Sequence, residues 1–220
     1  MDRSETDAVK QWLPIDAIVS SLFIDTAESF PDHLINDDFT HIIHTGSSLS
    51  ITKVAAFTNK AVNYIQKARE KGIWQMGICY GHQLICLSLI GREAVQTSPN
   101  GLEAGWVDLT FVNSSITILG VRRDETVWQH HFDEVTQLPL GSEILATNKH
   151  TKIQAYINYK HRLFGIQFHP EFNKELGDKI LLDDKELQET SDYNIVDMMK
   201  MGPSFETGKV FFGFFLRMTT

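Results

Sequence analysis

The spacing of apolar positions along this chain switches between two periods, and each switch marks an element. From residue 53 to 71 the apolar side chains Val54, Phe57, Ala61, Ile65 and Ala68 recur every three to four positions, the spacing of one helical face, and Gly72 stops the pattern. Short β-branched runs flank this helix: "DAIVSSLF" (16–23), "THIIHTG" (40–46) and "IWQMGIC" (73–79) read as strands. The first two are joined by an amphipathic link, "IDTAESFPDHLINDD" (24–38). "GHQLICLSLIG" (81–91) is apolar on nearly every side, which predicts a helix buried in the middle of the fold. Beyond it "EAVQT", "WVDLTFV", "EILATN", "IQAYIN" and "LFGIQF" are short strands with turn residues between them, and "NYKH" reads as a hairpin tip. "NKELGDKILLDDKELQE" (173–189) and "GKVFFGFFLRM" (208–218) close the chain as helices.

Strands alternating with helices in the first half predict a mostly parallel α/β core, and the second half adds a small antiparallel layer. The 220 residues carry no repeat, low-complexity tract or linker, so one domain over 1–220 is expected. A net charge of −8 with scattered Lys and Arg argues against nucleic acid as a partner. No apolar run is long enough to span a membrane, and the polar lead "MDRSETDAVKQWL" is unlike a signal peptide, so a soluble cytoplasmic protein is expected. There is no phosphate-binding G-x-x-x-x-G-K-[ST] and no G-x-G-x-x-G. His41 and His44, three apart on a strand, face opposite sides, and no metal site is expected from the nine histidines.

The two cysteines, Cys79 and Cys86, sit about 10 Å apart along a helix, beyond disulfide reach, which makes them free thiols in a reducing compartment. Cys86 lies in "LICLSLI" without polar neighbours and reads as core. Cys79 differs. In "QMGICYGHQL" it stands where a buried strand must reverse into a helix, bracketed by Gly77 and Gly81, the arrangement of a nucleophile held on a sharp turn. By itself the stretch fits an inert buried thiol equally well. A nucleophile needs a base and the base an orienting group. His169 and Glu171 in "FGIQFHPEF" offer both, two residues apart and so on one face of a strand, with Pro170 marking an edge or strand end.

"GICYGHQL" and "FGIQFHPEF" resemble the two signature blocks of class I (triad-type) glutamine amidotransferases, in the family's order. "THIIHTGSSLS" resembles the loop that supplies half of the family's oxyanion hole, and "GLEAGWVDLTF" with "VWQHHFDEVTQLP" its substrate-side region; the similarity runs over 16–172. The resemblance implies a flavodoxin-like doubly wound sheet with helices on both faces. It also implies a cysteinyl γ-glutamyl thioester formed by Cys79, with His169 as acid and base, Glu171 orienting it, and the N–H groups of Gly46 and Tyr80 holding the oxyanion. Gln83, His130 and His131 would hold the glutamine, although Gln83 also reads as a helix-surface amide. No metal or organic cofactor is implied.

Three departures follow from the same resemblance. Only a short lead precedes the strand that matches the family's second, so the first β-α unit is missing or reduced and the open sheet edge invites a homodimer. His130 stands where many relatives carry serine. The segment after Phe172 does not resemble a synthetase, which leaves ammonia from glutamine to a separate synthetase subunit. A γ-glutamyl peptidase or hydrolase with the same triad, and a catalytically silent binding domain, are the alternatives.

Overall fold

The computed structural model describes residues 4–24, 39–189 and 194–219. After helix α1 (Ser4–Lys10) the described chain runs through β1 (His41–His44), α2 (Thr58–Glu70), β2 (Trp74–Ile78) and α3 (Tyr80–Leu89). Then come β3 (Val95–Thr97), β4 (Glu103–Phe111), α4 (Asn113–Leu119), β5 (Asp124–His131) and β6 (Asp133–Val135). Strands β7 (Glu143–Thr147), β8 (Ala155–Asn158) and β9 (Leu163–Ile166) precede four closing helices, α5 (Lys174–Asp183), α6 (Lys185–Glu189), α7 (Ile195–Met198) and α8 (Thr207–Leu216). None of the described helices is long and apolar enough to cross a membrane.

Seven strands form one sheet in the order β1-β2-β9-β8-β7-β4-β5, and β3 pairs with β6 in a separate ribbon. β1, β2 and β9 run parallel, whereas β8, β7, β4 and β5 continue the same sheet in antiparallel register. The expected antiparallel strands thus extend the parallel ones instead of lying over them. Short connections dictate this: β8 reaches β9 through the tip that "NYKH" predicted, and a link of a few residues can join only antiparallel neighbours.

Helices cover both faces, as the flavodoxin-like class requires. On one, Ile65 of α2 and Ile85 and Cys86 of α3 pack on Tyr156 and Leu163. On the other, Phe211, Phe212, Phe214 and Phe215 of α8 pack on Phe111, Phe164 and Phe168. Burying one phenylalanine contributes ~1.5–3 kcal/mol, so α8 is a principal anchor of that face. α3 is buried all round, as its sequence predicted.

Three expectations change. Residues 16–23 form no strand: they have no regular secondary structure and are largely exposed, with Ile18 and Phe23 in the open, and no strand precedes β1 among the described residues. The link at 24–38 lies outside the described residues except for Ile24. The helix expected from residue 53 starts at Thr58, because the Thr58 hydroxyl accepts from the Ala55 N–H and closes a turn there. Finally "DETVWQHH", for which no strand was expected, is strand β5, paired along its length with β4.

Candidate active site

β2 ends at Ile78 and α3 starts at Tyr80, leaving Cys79 alone to turn the chain. Its backbone has φ 49° and ψ −106°, a conformation that side chains other than glycine rarely adopt. Such strain costs about 1–3 kcal/mol and persists where the surroundings enforce it. They do so here. The Cys79 N–H donates to the Ile166 carbonyl at 2.9 Å, fixing the turn to β9. A methyl on Gly81 would lie 2.0 Å from the His44 carbonyl oxygen, and one on Gly77 2.6 Å from the Gly81 carbonyl group. The two glycines are therefore demanded by backbone passing against backbone.

His169 and Glu171 follow β9 in a turn, not on a strand as expected, because the ladder ends at Ile166 before Pro170, which has no N–H to extend it. The turn still brings them together: His169 Nδ1 lies 2.7 Å from Glu171 Oε1, and both groups are buried. Three contacts hold the imidazole. Its backbone N–H donates to the Trp128 carbonyl at 2.9 Å, Phe172 stacks on it at 4.9 Å, and Trp128 meets it edge-on at 5.3 Å. Cys79 lies close enough to the same ring to act on its charge. Glu171's backbone carbonyl is anchored from the other end of the chain, by the Trp12 indole N–H at 2.9 Å and the Gln11 amide at 3.2 Å.

Burial acts to lower the pKa of His169, but Glu171 and Cys79 outweigh it and hold it well above the ordinary histidine value. A pKa raised by folding adds stability below the unfolded value of about 6.5, which is lost as pH rises through the folded value. The excess stability of the wild type over Glu171→Gln should accordingly shrink as pH is raised from about 6. Urea midpoints at successive pH values measure it; a constant difference would contradict this coupling.

The loop after β1 brings Gly46 to the same place: a Cβ there would sit 2.8 Å from His169 Cε1 and 3.7 Å from Cys79 Cβ. Tyr80 opens α3, so its N–H is one of the unpaired donors at a helix start. Cys79, Tyr80, Gly46, His169 and Glu171 thus converge.

The other expected residues lie differently. Gln83 is buried, not a surface amide, and its Nε2 donates to the Asp133 carbonyl at 2.8 Å and to Gln167 Oε1 at 3.1 Å. Alternation along β5 sends His130 and His131 to opposite faces. His130 stacks on Trp128 and pairs with Asp184 at 2.7 Å; only its backbone carbonyl approaches Cys79, 3.8 Å from Sγ. His131 turns into a buried network with Glu103. Asp133 is a residue that spacing did not single out. Its carboxylate accepts from Ser50 Oγ at 2.5 Å, the Ile51 N–H at 2.9 Å and Thr97 Oγ1 at 2.9 Å, tying the Gly46 loop to β6. Glu103, His131 and His150 have donor atoms within 4.8 Å of one another, close enough to hold an ion. They come from three separate segments, which is why no ligand spacing was visible.

A family model described as glutamine amidotransferase class-I matches residues 25–188. A glutamine-hydrolyzing GMP synthase subunit of Sulfurisphaera tokodaii is 33% identical over 134 residues, covering 61% of this chain and 68% of that protein. GMP synthase (glutamine-hydrolyzing) of Clostridium kluyveri is 33% identical over 148 residues, 64% of this chain but 27% of the relative's length. In fold, the chain matches a glutamine amidotransferase from Thermotoga maritima with a TM-score of 0.63 at 20% identity, over 74% of this chain and 70% of that one. It also matches the glutaminase domain of Trypanosoma brucei CTPS with bound acivicin, TM-score 0.60 at 15% identity, over 99% and 86% of the two chains.

Proposed function

Since the chain belongs to the class I glutamine amidotransferase family, we propose that it hydrolyses the side-chain amide of glutamine through a γ-glutamyl thioester on Cys79 and delivers the ammonia to a separate synthetase. The observation that carries this reading is the buried pair of His169 and Glu171, 2.7 Å apart, set against a cysteine on a strained turn.

In this mechanism His169 takes the thiol proton and Sγ attacks the carboxamide carbon. The oxyanion that forms is stabilised by the N–H groups of Tyr80 and Gly46, and the positive end of α3 adds to them. His169 then protonates the departing ammonia and the thioester remains. Water, deprotonated by the same imidazole, attacks the thioester and releases glutamate, restoring the thiol. Glu171 accepts a hydrogen bond from Nδ1–H throughout, so that Nε2 is the nitrogen that exchanges protons with sulfur and substrate. That the S. tokodaii relative is named as one subunit of a GMP synthase supports a separate synthetase.

The test is turnover plus labelling. Purified protein is expected to release ammonia from glutamine faster than it cleaves γ-glutamyl peptides, and to take up one acivicin per chain, on Cys79, as read by peptide mass spectrometry. Cleavage of γ-glutamyl peptides alone would reassign the substrate to a peptidase reaction, and absence of both turnover and adduct would reject the catalytic reading.

A further inference from the structure

We infer that Glu103 and His131 form a buried positioning pair that fixes the turn joining both halves of the site, and that the His131 ring is not part of the surface that contacts glutamine. The inference rests on the reading of Cys79 as nucleophile.

The geometry runs outward from Glu103 on β4. Its Oε2 accepts from His131 Nε2 at 2.9 Å and Gln154 Nε2 at 2.8 Å, and its Oε1 from Asn148 Nδ2 at 2.6 Å. Burial alone would raise the Glu103 pKa, but the His131, Asn148 and Gln154 donors bring it below the ordinary carboxylate value. Three donors thus hold the carboxylate in place. His131, whose side chain is 1% exposed, spends its other nitrogen on the backbone: Nδ1 lies 3.0 Å from the Asp133 carbonyl. With acceptors on both sides, the ring is clamped between β4 and the 131–133 turn.

Asp133 is where this clamp meets the chemistry. The carbonyl held by His131 also accepts from Gln83, one helical turn after Cys79 in α3. The Asp133 carboxylate holds Ser50 and Ile51 in the loop that carries Gly46. Displacing the turn moves the elbow helix and the oxyanion loop relative to each other. Misplacement by about 1 Å is enough to cost on the order of 100-fold in rate.

Two substitutions separate positioning from mere structural support. In His131→Gln the amide nitrogen stands near the position of Nε2, so Glu103 keeps its donor while the Asp133 carbonyl loses its own. In His131→Asn it stands near Nδ1, and the losses are reversed. Positioning predicts that His131→Gln keeps most of the melting temperature yet loses about tenfold or more in kcat/KM, mainly through kcat, with about tenfold faster deuterium uptake at the Ile51 amide. His131→Asn melts lower but loses only about threefold in kcat/KM, acting as the partial rescue.

Activity that follows melting temperature in both variants, or unchanged exchange at Ile51 in His131→Gln, would overturn the proposal. So would stoichiometric zinc uptake lost in His150→Ala, since it would make the cluster a metal centre; His150 Nδ1 lies 3.7 Å from the same Oε2. If the wild type turned over neither glutamine nor γ-glutamyl peptides, the catalytic reading would fail while the exchange measurement still decided the positioning.

Discussion

Cys79→Ala is expected to lower the kcat for glutamine hydrolysis by at least about 10⁴-fold, because removing a nucleophile removes the whole covalent route and leaves only binding and the oxyanion donors. The neighbouring thiol offers no substitute. Cys86 is fully buried, its pKa is pushed up to about 12 by burial, and it lies against the Tyr156 hydroxyl. The fold should survive the change, since the turn is held by the Cys79 N–H and the two glycines rather than by the sulfur. Cys79→Gly goes further: with φ at 49° a glycine carries no strain, so this variant should be equally inactive yet melt above Cys79→Ala. A coupled ammonia assay and a thermal melt on the two proteins read both effects. Residual turnover above about 1% of wild type would mean that another group performs the attack, because a substitution of the nucleophile cannot leave so much.

The legible parts of this site were those encoded locally. Gly77 and Gly81 announce a tight turn around Cys79 without reference to any other segment, and the i, i+2 spacing of His169 and Glu171 guarantees proximity whether they sit on a strand or, as found, in the turn after one. What periodicity could not disclose depended on distant partners. Gln83 read equally as a glutamine ligand and as a surface amide because nothing nearby satisfies it; its acceptors are Asp133 and Gln167, 50 and 84 positions away. β5 was hidden because its buried face includes polar Gln129 and His131, which pair with Gln154 and Glu103, so apolar alternation never develops. Conversely "DAIVSSLF" has the composition of a strand but no described neighbour to pair with, and a strand exists only through its ladder.

Glu171→Gln is the second large effect, with kcat expected to fall by about 10²–10⁴-fold while KM stays within about threefold. The carboxylate touches no expected substrate position. It is fully buried, one oxygen on His169 Nδ1 and the other without a partner among the described residues. A glutamine can turn its amide either way, and both orientations fail. With Nε2 toward the imidazole, Nδ1 must become the acceptor, so the proton moves to the ring nitrogen facing Cys79 and His169 can no longer take the thiol proton. With the amide oxygen toward the imidazole, the tautomer survives, but an NH₂ group is buried without an acceptor and the negative charge that supports the imidazolium is gone. Because that charge helps hold the His169 pKa above its ordinary value, its removal should also shift the alkaline limb of kcat/KM, where the imidazolium loses its proton, to lower pH. A variant with reduced kcat but an unmoved alkaline limb would mean that Glu171 orients the ring without supporting its charge, and an unchanged kcat would remove Glu171 from the mechanism.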